Sequence, residues 1–233
     1  MLTTHFAHER TQVGPQFVME LNDLRYVVVE GAIGVGKTSL ARKLALKLGR
    51  DLLLEAPADN PFLERFYSEP ERFALATQLN FLFQRADQVT VLSQMSLFSR
   101  GVVADFLLEK DPLFAALTLS SDELTLYHKL YAHLQPQSPR PDLVIALQAS
   151  TDVLVARVAH RGIRFEQQMR PDYLARLSDA YTRFFHGYSA APVLFVNTKG
   201  LNFVDCPAHV DLLIERIRKM RGEREFFNVA SVD

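Results

Sequence analysis

Five short apolar runs recur along the chain, each closed by polar or turn-forming residues. They are rich in valine, leucine and isoleucine, and they cover residues 25–30, 52–55, 101–106, 142–148 and 193–197. Apolar runs with little polar alternation are typical of strands that are buried on both faces of a sheet. We therefore predict five buried strands from these runs.

Between these runs, apolar residues return at the spacing of an α-helix. The segments with this spacing are residues 38–48, 62–97 with a break near Pro70, 121–134, 151–160, 171–188 and 210–220. Ser121 suits a helix N-cap, and Pro171 suits the first position of a helix. Strands that alternate with helices predict an α/β fold, in which a five-stranded parallel sheet carries helices on both faces.

The limits of this pattern predict one domain with a tail at each end. Residues 1–24 show no sustained periodicity and are assigned to an N-terminal tail, residues 25–221 to the α/β domain, and residues 222–233 to a C-terminal tail. No linker rich in Pro, Gly or Ser divides the domain. A length of 233 residues is compatible with one large domain.

Composition removes several classes of protein. With 48% hydrophobic and 23% charged residues, the chain has the composition of a globular protein rather than a disordered one. A formal net charge of −1 argues against binding of nucleic acid through a broad basic surface. The single cysteine excludes an intrachain disulfide and a cysteine-rich zinc site. The apolar runs are too short for a membrane helix and the N-terminus is polar, so we expect a cytoplasmic protein with no membrane partner.

A phosphate-binding loop, or P-loop, follows the first predicted strand. The pattern G-x-x-x-x-G-K-[ST] is matched by Gly31, Ala32, Ile33, Gly34, Val35, Gly36, Lys37 and Thr38. In such a loop the backbone N–H groups point at phosphate oxygens, the lysine reaches the β- and γ-phosphates, and the hydroxyl ligates Mg²⁺. The strand before the motif and the amphipathic helix after it provide the required context. We predict that these residues bind a nucleoside triphosphate with Mg²⁺ and that Lys37 also takes part in catalysis.

The class of P-loop protein can be narrowed by the motifs that the sequence lacks. The string nearest to the guanine-reading N-K-x-D motif of GTPases starts at Asn197 and reads Asn-Thr-Lys-Gly, without the Asp. Neither the third nor the fourth predicted strand runs into the paired Asp-Glu of mechanical ATPases. A small-molecule kinase needs only a carboxylate for the acceptor hydroxyl and cations for the transferred phosphoryl group. We therefore favour a small-molecule kinase.

Two acidic residues end predicted strands, Glu55 the second and Asp105 the third. Ligands of open parallel sheets bind beyond the carboxyl ends of the strands, so both residues are candidates for the site. Glu55 is the candidate general base. Asp105 is the candidate that holds Mg²⁺ through water or balances Lys37. The alternative for Glu55 is an ordinary exposed loop residue, and the alternative for Asp105 is a turn residue at the end of a strand.

The segment from Tyr67 to Arg85 places polar groups among aromatic ones. Gln78 and Arg85 are seven residues apart, which is two helical turns, and they share one face of the predicted helix. A glutamine amide pairs bidentately with the edge of a base, so this face suits a planar base. A solvated Gln and Arg on a surface helix are the alternative.

Three arginines lie close together later in the chain. Arg157 and Arg161 are four residues apart on one helical face, and Arg164 follows in the loop after Gly162. Cations on a flexible segment suit closure over a triphosphate and stabilisation of transition-state charge. A solvated basic helix end, favourable to the helix dipole, is the alternative.

Taken together, these motifs resemble those of the deoxynucleoside kinase family. The resemblance runs from about Arg25 to Asn197 and rests on the P-loop, Glu55 with the nearby Pro57, residues 70–85 and the arginine-rich loop. It implies a P-loop kinase fold with an arginine-rich lid. It also implies nucleotide salvage, in which ATP with Mg²⁺ phosphorylates the 5′-hydroxyl of a deoxynucleoside.

The resemblance assigns roles to single residues. Glu55 matches the family's general base, Gln78 the residue that reads the base, and Arg85 an arginine that helps to bind it. Tyr67 and Glu166 match residues that bind the 3′-hydroxyl of the sugar.

The resemblance also assigns roles to the arginines of the lid and to two residues that follow Asp105. Arg157 and Arg161 fit the family's phosphate-binding arginines best by position, and we expect Arg161 to act in catalysis. Asp111 is expected to pair with Arg85 near the base, and Phe114 to line the pocket.

One departure from the family pattern concerns a cation. The family has an acid-Arg-Ser triplet at the end of the third strand, where residues 105–107 read Asp-Phe-Leu. We expect the missing cation to come from Arg85 or from the lid. An alternative placement uses Arg100, but it leaves the apolar residues 101–104 outside the strand.

The leading hypothesis is an ATP-dependent deoxynucleoside kinase. Gln78 with a pair of Arg85 and Asp111 favours a base that bears an amino group, and we lean toward a purine. A nucleoside monophosphate kinase such as a thymidylate kinase is the first rival, because Arg85 could bind an existing phosphate. A nucleotide-binding regulatory protein without turnover is the second. The resemblance further implies a homodimer.

Overall fold

A parallel sheet of six strands forms the centre of the computed structural model, which describes residues 19–95, 100–134 and 138–229. The strands are β1 (Tyr26–Gly31), β2 (Asp51–Leu53), β3 (Val102–Ala104), β4 (Leu143–Gln148), β5 (Val193–Asn197) and β6 (Arg224–Phe227). They lie in the order β2-β3-β1-β4-β5-β6. All neighbouring strands are parallel, and Val28 of β1 is aligned with Ala104 of β3 and with Val144 of β4.

The central strands are buried along almost their whole length. Every residue of β1 is buried, and so are residues 143–147 of β4 and 193–196 of β5. Strands that are covered on both faces need apolar side chains at successive positions, which explains why continuous apolar runs identified them. The predicted α/β fold with a parallel sheet is confirmed.

Eight α-helices connect the strands in the described ranges. They are α1 (Lys37–Leu48), α2 (Leu63–Ser68), α3 (Pro70–Met95), α4 (Asp111–Thr118), α5 (Ser121–Leu134), α6 (Thr151–Arg161), α7 (Pro171–Gly187) and α8 (Pro207–Arg218). Proline begins α3, α7 and α8, at a position where its missing N–H costs no hydrogen bond of the helix. None of these described helices is both long enough and apolar enough to cross a bilayer.

The predicted number of strands is wrong, because the sheet has six strands rather than five. The sixth strand, β6, lies in the segment that we assigned to the C-terminal tail and pairs with β5 at the edge of the sheet. Its four residues alternate between exposed and half-buried positions. A short edge strand of this kind has no continuous apolar run by which the sequence could reveal it. At the other end, Met19 and Leu24 of the assigned N-terminal tail pack into the core.

Other differences concern the ends of elements. The helix predicted over residues 62–97 is divided into α2 and α3 near the expected break at Pro70, and its predicted end at Leu97 lies outside the described residues. β2 ends at Leu53, so Glu55 lies in the loop after the strand and not in the strand itself. α4 was not predicted, because eight residues are too few to show clear helical periodicity.

The strand order brings three loops together at one edge of the sheet. β1 lies between β3 and β4. The two strands that follow β1 in the chain, β2 and β3, lie on one side of it, and β4, β5 and β6 lie on the other. The loops after β1, β2 and β3 all leave from the carboxyl ends of parallel strands. In open parallel sheets this edge, next to such a reversal of strand order, is where ligands bind.

Candidate active site

Three glycines of the P-loop, Gly31, Gly34 and Gly36, have positive φ angles, and at the first two a side chain would also clash. Gly31 and Gly34 have φ angles of +148° and +83°. A Cβ atom on Gly31 would lie 2.5 Å from the carbonyl oxygen of Leu147, and one on Gly34 would lie 2.8 Å from a methyl group of Val158. The close approach to α6 and β4 therefore fixes the shape of the loop at the N-terminus of α1, where helix N–H groups favour an anion.

The middle residues of the P-loop tie it to the core. Val35 donates a backbone hydrogen bond of 3.2 Å to the carbonyl of Ala32, and both side chains are buried. Ile33 faces the cleft described below. Gly36 then caps α1 in a left-handed conformation.

Lys37 lies folded over the P-loop. Its ammonium donates to the carbonyl oxygens of Gly31, at 2.9 Å, and Ala32, at 3.3 Å. Burial lowers the pKa of Lys37, in opposition to the nearby charge of Glu30. The lysine is thus a partly desolvated cation at the mouth of the loop.

Asp105 links the P-loop helix to the loop after β2. Its Oδ2 accepts a hydrogen bond from the hydroxyl of Thr38 at 2.5 Å, and its Oδ1 accepts one from the backbone N–H of Glu55 at 2.7 Å. Burial raises the pKa of Asp105. A hydroxyl and a carboxylate are hard oxygen donors of the kind that Mg²⁺ prefers, so this pair fits the ion. Among the described residues no group of three or more His, Cys, Asp or Glu could hold a metal, so water molecules and phosphate oxygens would complete the coordination.

Glu55 lies between two buried cations. Its Oε1 accepts hydrogen bonds from Nε of Arg85, at 2.8 Å, and from a terminal nitrogen of the same guanidinium, and it lies 3.3 Å from Nζ of Lys110. Burial alone would raise the pKa of Glu55, but the charges of Arg85, Lys110 and Lys37 outweigh it and lower the pKa to about 2. Glu55 is therefore ionised throughout the physiological pH range.

Arg85 and Gln78 lie on α3 and point into the interior, since each is only 4% exposed. The guanidinium of Arg85 also forms an ion pair with Asp111 at the start of α4. Phe81 lies against the same guanidinium, which is 5.1 Å from the centre of its ring. The structure therefore brings Gln78, Arg85 and Asp111 together, with Asp111 behind Arg85.

Gln78 and Arg85 face one cleft, whose volume including the space open to solvent is about 850 Å³, whereas Asp111 does not line it. Of the residues expected on the acceptor side, the cleft is lined by Glu55, Tyr67, Gln78, Arg85, Asp105, Phe114 and Glu166.

The predicted lid is the connection between α6 and α7. Arg161 forms an ion pair with Glu166, which is largely buried, while Arg164 is exposed. Phe165 stacks on Tyr67 of α2, with ring centres 5.9 Å apart and planes inclined by 16°. In this conformation the lid packs against α2 on the acceptor side of the cleft.

Arg157 is engaged by protein acceptors. Its guanidinium donates to the carbonyl of Val35 at 3.2 Å, and to the hydroxyl and carbonyl of Thr198, each at 2.9 Å. Burial lowers the pKa of Arg157. The residue thus connects the P-loop to the loop that follows β5.

A second cleft opens on the other side of the P-loop, next to Arg157 and the loop after β5. The two clefts share Gly34, Lys37, Thr38 and Arg161. A site in which two pockets meet at a phosphate-binding loop has the arrangement that transfer of a phosphoryl group between two substrates requires.

Two charged residues of the site were not identified from the sequence. Glu30 and Lys110 are at most 1% exposed and lie 3.1 Å apart, Oε2 to Nζ. For Glu30 a signal existed, because a carboxylate within a strand buried on both faces needs a partner. Lys110 belongs to no motif, and its partner Glu30 is 80 residues away in the chain.

Comparison with known proteins adds an independent finding. The model of the family described as deoxynucleoside kinase matches residues 27–221. The deoxyguanosine kinase of Bacillus subtilis is 34% identical over 162 residues, which cover 69% of this chain and 78% of that protein. The deoxyadenosine kinase of Lactobacillus acidophilus is 29% identical over 213 residues, which cover 85% of this chain and 97% of that protein.

Solved structures agree on the fold. The deoxyadenosine kinase of M. mycoides with bound dCTP superimposes with a TM-score of 0.70 at 20% identity, over 84% of this chain and all of that chain. The same enzyme with bound dATP gives a TM-score of 0.69 at 19% identity, over 83% of this chain.

Proposed function

The chain belongs to the deoxynucleoside kinase family, and on that basis we propose that it transfers the γ-phosphoryl group of ATP to the 5′-hydroxyl of a deoxynucleoside. Membership of the family makes the protein a phosphotransferase that acts on a deoxynucleoside hydroxyl. The observation that carries the finer proposal is the position of Glu55, which faces one cleft together with Lys37, Thr38 and Gln78.

Glu55 is the proposed general base. With a pKa of about 2 it is ionised, so it accepts a hydrogen bond from the attacking hydroxyl and fixes the direction of attack. A carboxylate of such low basicity is a poor base toward a free alcohol. The hydroxyl proton becomes acidic only as its oxygen bonds to phosphorus. The proton therefore passes to Glu55 as the new O–P bond forms and the bond to the leaving β-phosphate oxygen breaks.

The donor side of the site is built from the P-loop and the lid. The N–H groups at the start of α1 and the ammonium of Lys37 hold the phosphates, and Lys37 turns from the carbonyls of the loop toward them. Arg161 lies where both clefts meet and supplies charge to the transferred group, and Arg157 lines the second cleft, where the donor would bind. Arg164 is exposed and lines neither cleft, so it would have to turn inward to support the bound donor. Mg²⁺, held by Thr38 and Asp105, would neutralise charge on the phosphates.

The acceptor side recognises sugar and base separately. Tyr67 and Glu166, at the contact between α2 and the lid, are the proposed partners of the sugar 3′-hydroxyl. Gln78 is the proposed partner of the base, with the Arg85–Asp111 pair beside it and Phe114 on the wall of the cleft. We favour a purine, a choice supported by relatives that are named for deoxyguanosine and deoxyadenosine. Salvage of deoxynucleosides would be the corresponding role.

The occupancy of Arg85 argues against a monophosphate kinase. Both Glu55 and Asp111 bind its guanidinium, so this arginine is not available for the phosphate of a nucleotide acceptor. The second alternative, a nucleotide-binding regulatory protein without turnover, is distinguished by the assay described below.

The test is a phosphorylation assay with ATP and Mg²⁺ against the four deoxynucleosides and their monophosphates. We expect 5′-monophosphates to form from deoxynucleosides, with the highest kcat/KM for a purine, and no reaction of the monophosphates. Glu55→Gln should lower kcat by roughly 10²–10⁴-fold. The matched control is Glu71→Gln, which removes an exposed carboxylate at the start of α3. Binding of ATP without turnover of any acceptor would contradict the proposal.

A further inference from the structure

Lys110 is a buried cation that none of the recognised motifs contains. It ends a short 3-10 turn (Leu108–Lys110) between β3 and α4, and its side chain is 1% exposed. Its ammonium lies 5.9 Å from the centre of the Phe114 ring. A lysine is almost never buried so completely unless its charge is paired, so the partners of this ammonium define what it does.

The first partner, Glu30, is a fixed anchor. Its carboxylate accepts hydrogen bonds from the backbone N–H groups of Gly31, at 2.9 Å, and Leu107, at 2.8 Å, and from the hydroxyl of Tyr181, at 3.0 Å. Nζ of Lys110 lies 3.1 Å from Oε2 and 3.4 Å from Oε1 of the same carboxylate. Because β1, α7 and the turn after β3 all hold Glu30, the ammonium that it binds cannot move far.

The second partner is Glu55, the proposed base. The ammonium of Lys110 and the guanidinium of Arg85 both approach Oε1 of this carboxylate. Within the described residues, Oε2 accepts no hydrogen bond from the protein. Two fixed cations on one oxygen orient the carboxylate and leave the other oxygen for the substrate.

We propose that Lys110 is a positioning residue for phosphoryl transfer: anchored on Glu30, it holds Oε1 of Glu55 so that Oε2 is presented to the acceptor hydroxyl. This inference rests on the function proposed above and assigns a further residue to the same site. From the sequence we expected the cation beside Asp105 to come from Arg85 or the lid. The geometry adds Lys110, which follows Asp105 by five residues and whose Nζ lies 3.3 Å from Oε1 of Glu55.

A double-mutant cycle separates this role from a general structural one. Lys110→Met should lower kcat by roughly 100-fold, the typical cost of misplacing a reacting group by about 1 Å, with little change in the KM for the deoxynucleoside. Residues that act as a unit are not additive. If Lys110 acts through Glu55, the variant Glu55→Gln/Lys110→Met should therefore match Glu55→Gln alone in kcat to within about twofold.

Two further variants control for charge and for the loss of a lysine. Lys110→Arg keeps the positive charge, and its kcat should be at least about tenfold higher than that of Lys110→Met. Lys47→Met removes a lysine from a partly exposed ion pair with Asp211, on α1 and α8, and should keep the wild-type kcat.

Loss of the fold can be excluded as the cause. Removing Lys110 leaves Glu30 buried beside an apolar side chain, so we expect Lys110→Met to be less stable than the wild type. If Lys110→Met does not fold, the same cycle is measured with Lys110→Gln, whose amide keeps a hydrogen-bond donor for Glu30 but brings no charge to Glu55. A kcat of Lys110→Met within about threefold of wild type, or a double variant whose losses multiply, would overturn the inference. A wild-type protein that phosphorylates no deoxynucleoside would instead overturn the proposed function.

Discussion

Glu55 couples the stability of the protein to pH. Burial opposes its charge, but Arg85 and Lys110 lower its pKa to about 2, below its ordinary value of 4.5. A carboxylate with a lowered pKa adds stability above its unfolded pKa, and this stability is lost as the pH falls toward the folded pKa. Relative to Glu55→Gln, the wild type should therefore lose on the order of 2 kcal/mol of unfolding free energy as the pH falls from about 5 toward 2.5.

Urea denaturation of both proteins over this acid range, down to the lowest pH at which both remain folded, measures the difference. Glu71→Gln is the control, because Glu71 is exposed and should leave the pH dependence of the wild type unchanged. A difference between wild type and Glu55→Gln that stays constant with pH would show that the cations do not hold this carboxylate in its charged form.

Gln78 should determine the preference for the base. Its amide is nearly buried and lines the cleft, so a base that hydrogen-bonds to it would leave unpaired groups behind when the amide is removed. We expect Gln78→Ala to reduce kcat/KM for the best deoxynucleoside by roughly 10–100-fold and to narrow the differences between bases. The control is Gln94→Ala, an exposed glutamine on the same helix. Equal losses in both variants would place base recognition elsewhere.

Local motifs and the pair of Arg85 with Asp111 were found from the sequence, whereas the contacts of Lys110 with distant residues were not. The P-loop is contiguous, so eight neighbouring residues reveal it without any knowledge of the fold. The ion pairs of Glu30 and Glu55 with Lys110 depend on where β1, β2 and the turn after β3 come together. The spacing of these charged residues along the sequence does not predict that they are in contact.

At the scale of elements, β6 shows how a strand can be hidden in a sequence. Arg224 at its start donates to the carbonyls of Phe185, His186 and Tyr188 at the end of α7. Phe226 stacks on Phe195 of β5, with ring centres 4.7 Å apart. The strand is thus defined by contacts to α7 and β5, and its own four residues carry no periodic signal.

Arg224→Ala should therefore destabilise the protein by about 1–3 kcal/mol, because three carbonyl oxygens lose a charged donor. Arg218→Ala is the matched control, since the side chain of Arg218 is exposed and forms an ion pair with Glu215, three residues away on α8. That substitution should change stability by less than about 0.5 kcal/mol. Thermal unfolding of both variants measures the effect, and equal stability of the two would mean that β6 does not anchor the C-terminal segment.

At the scale of the whole molecule, the strand order explains why the site lies where it does. The sheet was predictable because β1, β4 and β5 are continuous apolar runs. The order β2-β3-β1-β4-β5-β6 was not deduced from the sequence, although it places the loops after β1, β2 and β3 side by side. Glu55 and Asp105 were selected because each ends a predicted strand. In the folded chain they are in contact, since the backbone N–H of Glu55 donates a hydrogen bond to Asp105.

The apolar residues left on the surface bear on the expected homodimer. Phe83 and Val91 on α3 and Leu126 on α5 are each at least 46% exposed. α3 and α5 pack against each other through Leu82 and Tyr127, so these exposed side chains belong to one pair of helices. Large apolar side chains that remain exposed on packed helices suit an interface between two copies of the chain.

We predict that the protein elutes as a dimer of about 53 kDa, twice the 26.5 kDa of one chain, in size-exclusion chromatography with light scattering at micromolar concentration. Phe83→Glu should shift the mass toward the monomer, because a charge in the centre of an apolar interface is costly to bury. Leu212→Glu is the control, since Leu212 is equally exposed, at 48%, but lies on α8. A wild-type mass of one chain would contradict the dimer. Dissociation by Leu212→Glu rather than by Phe83→Glu would move the interface from α3 to α8, because a new charge separates only the surface into which it is buried.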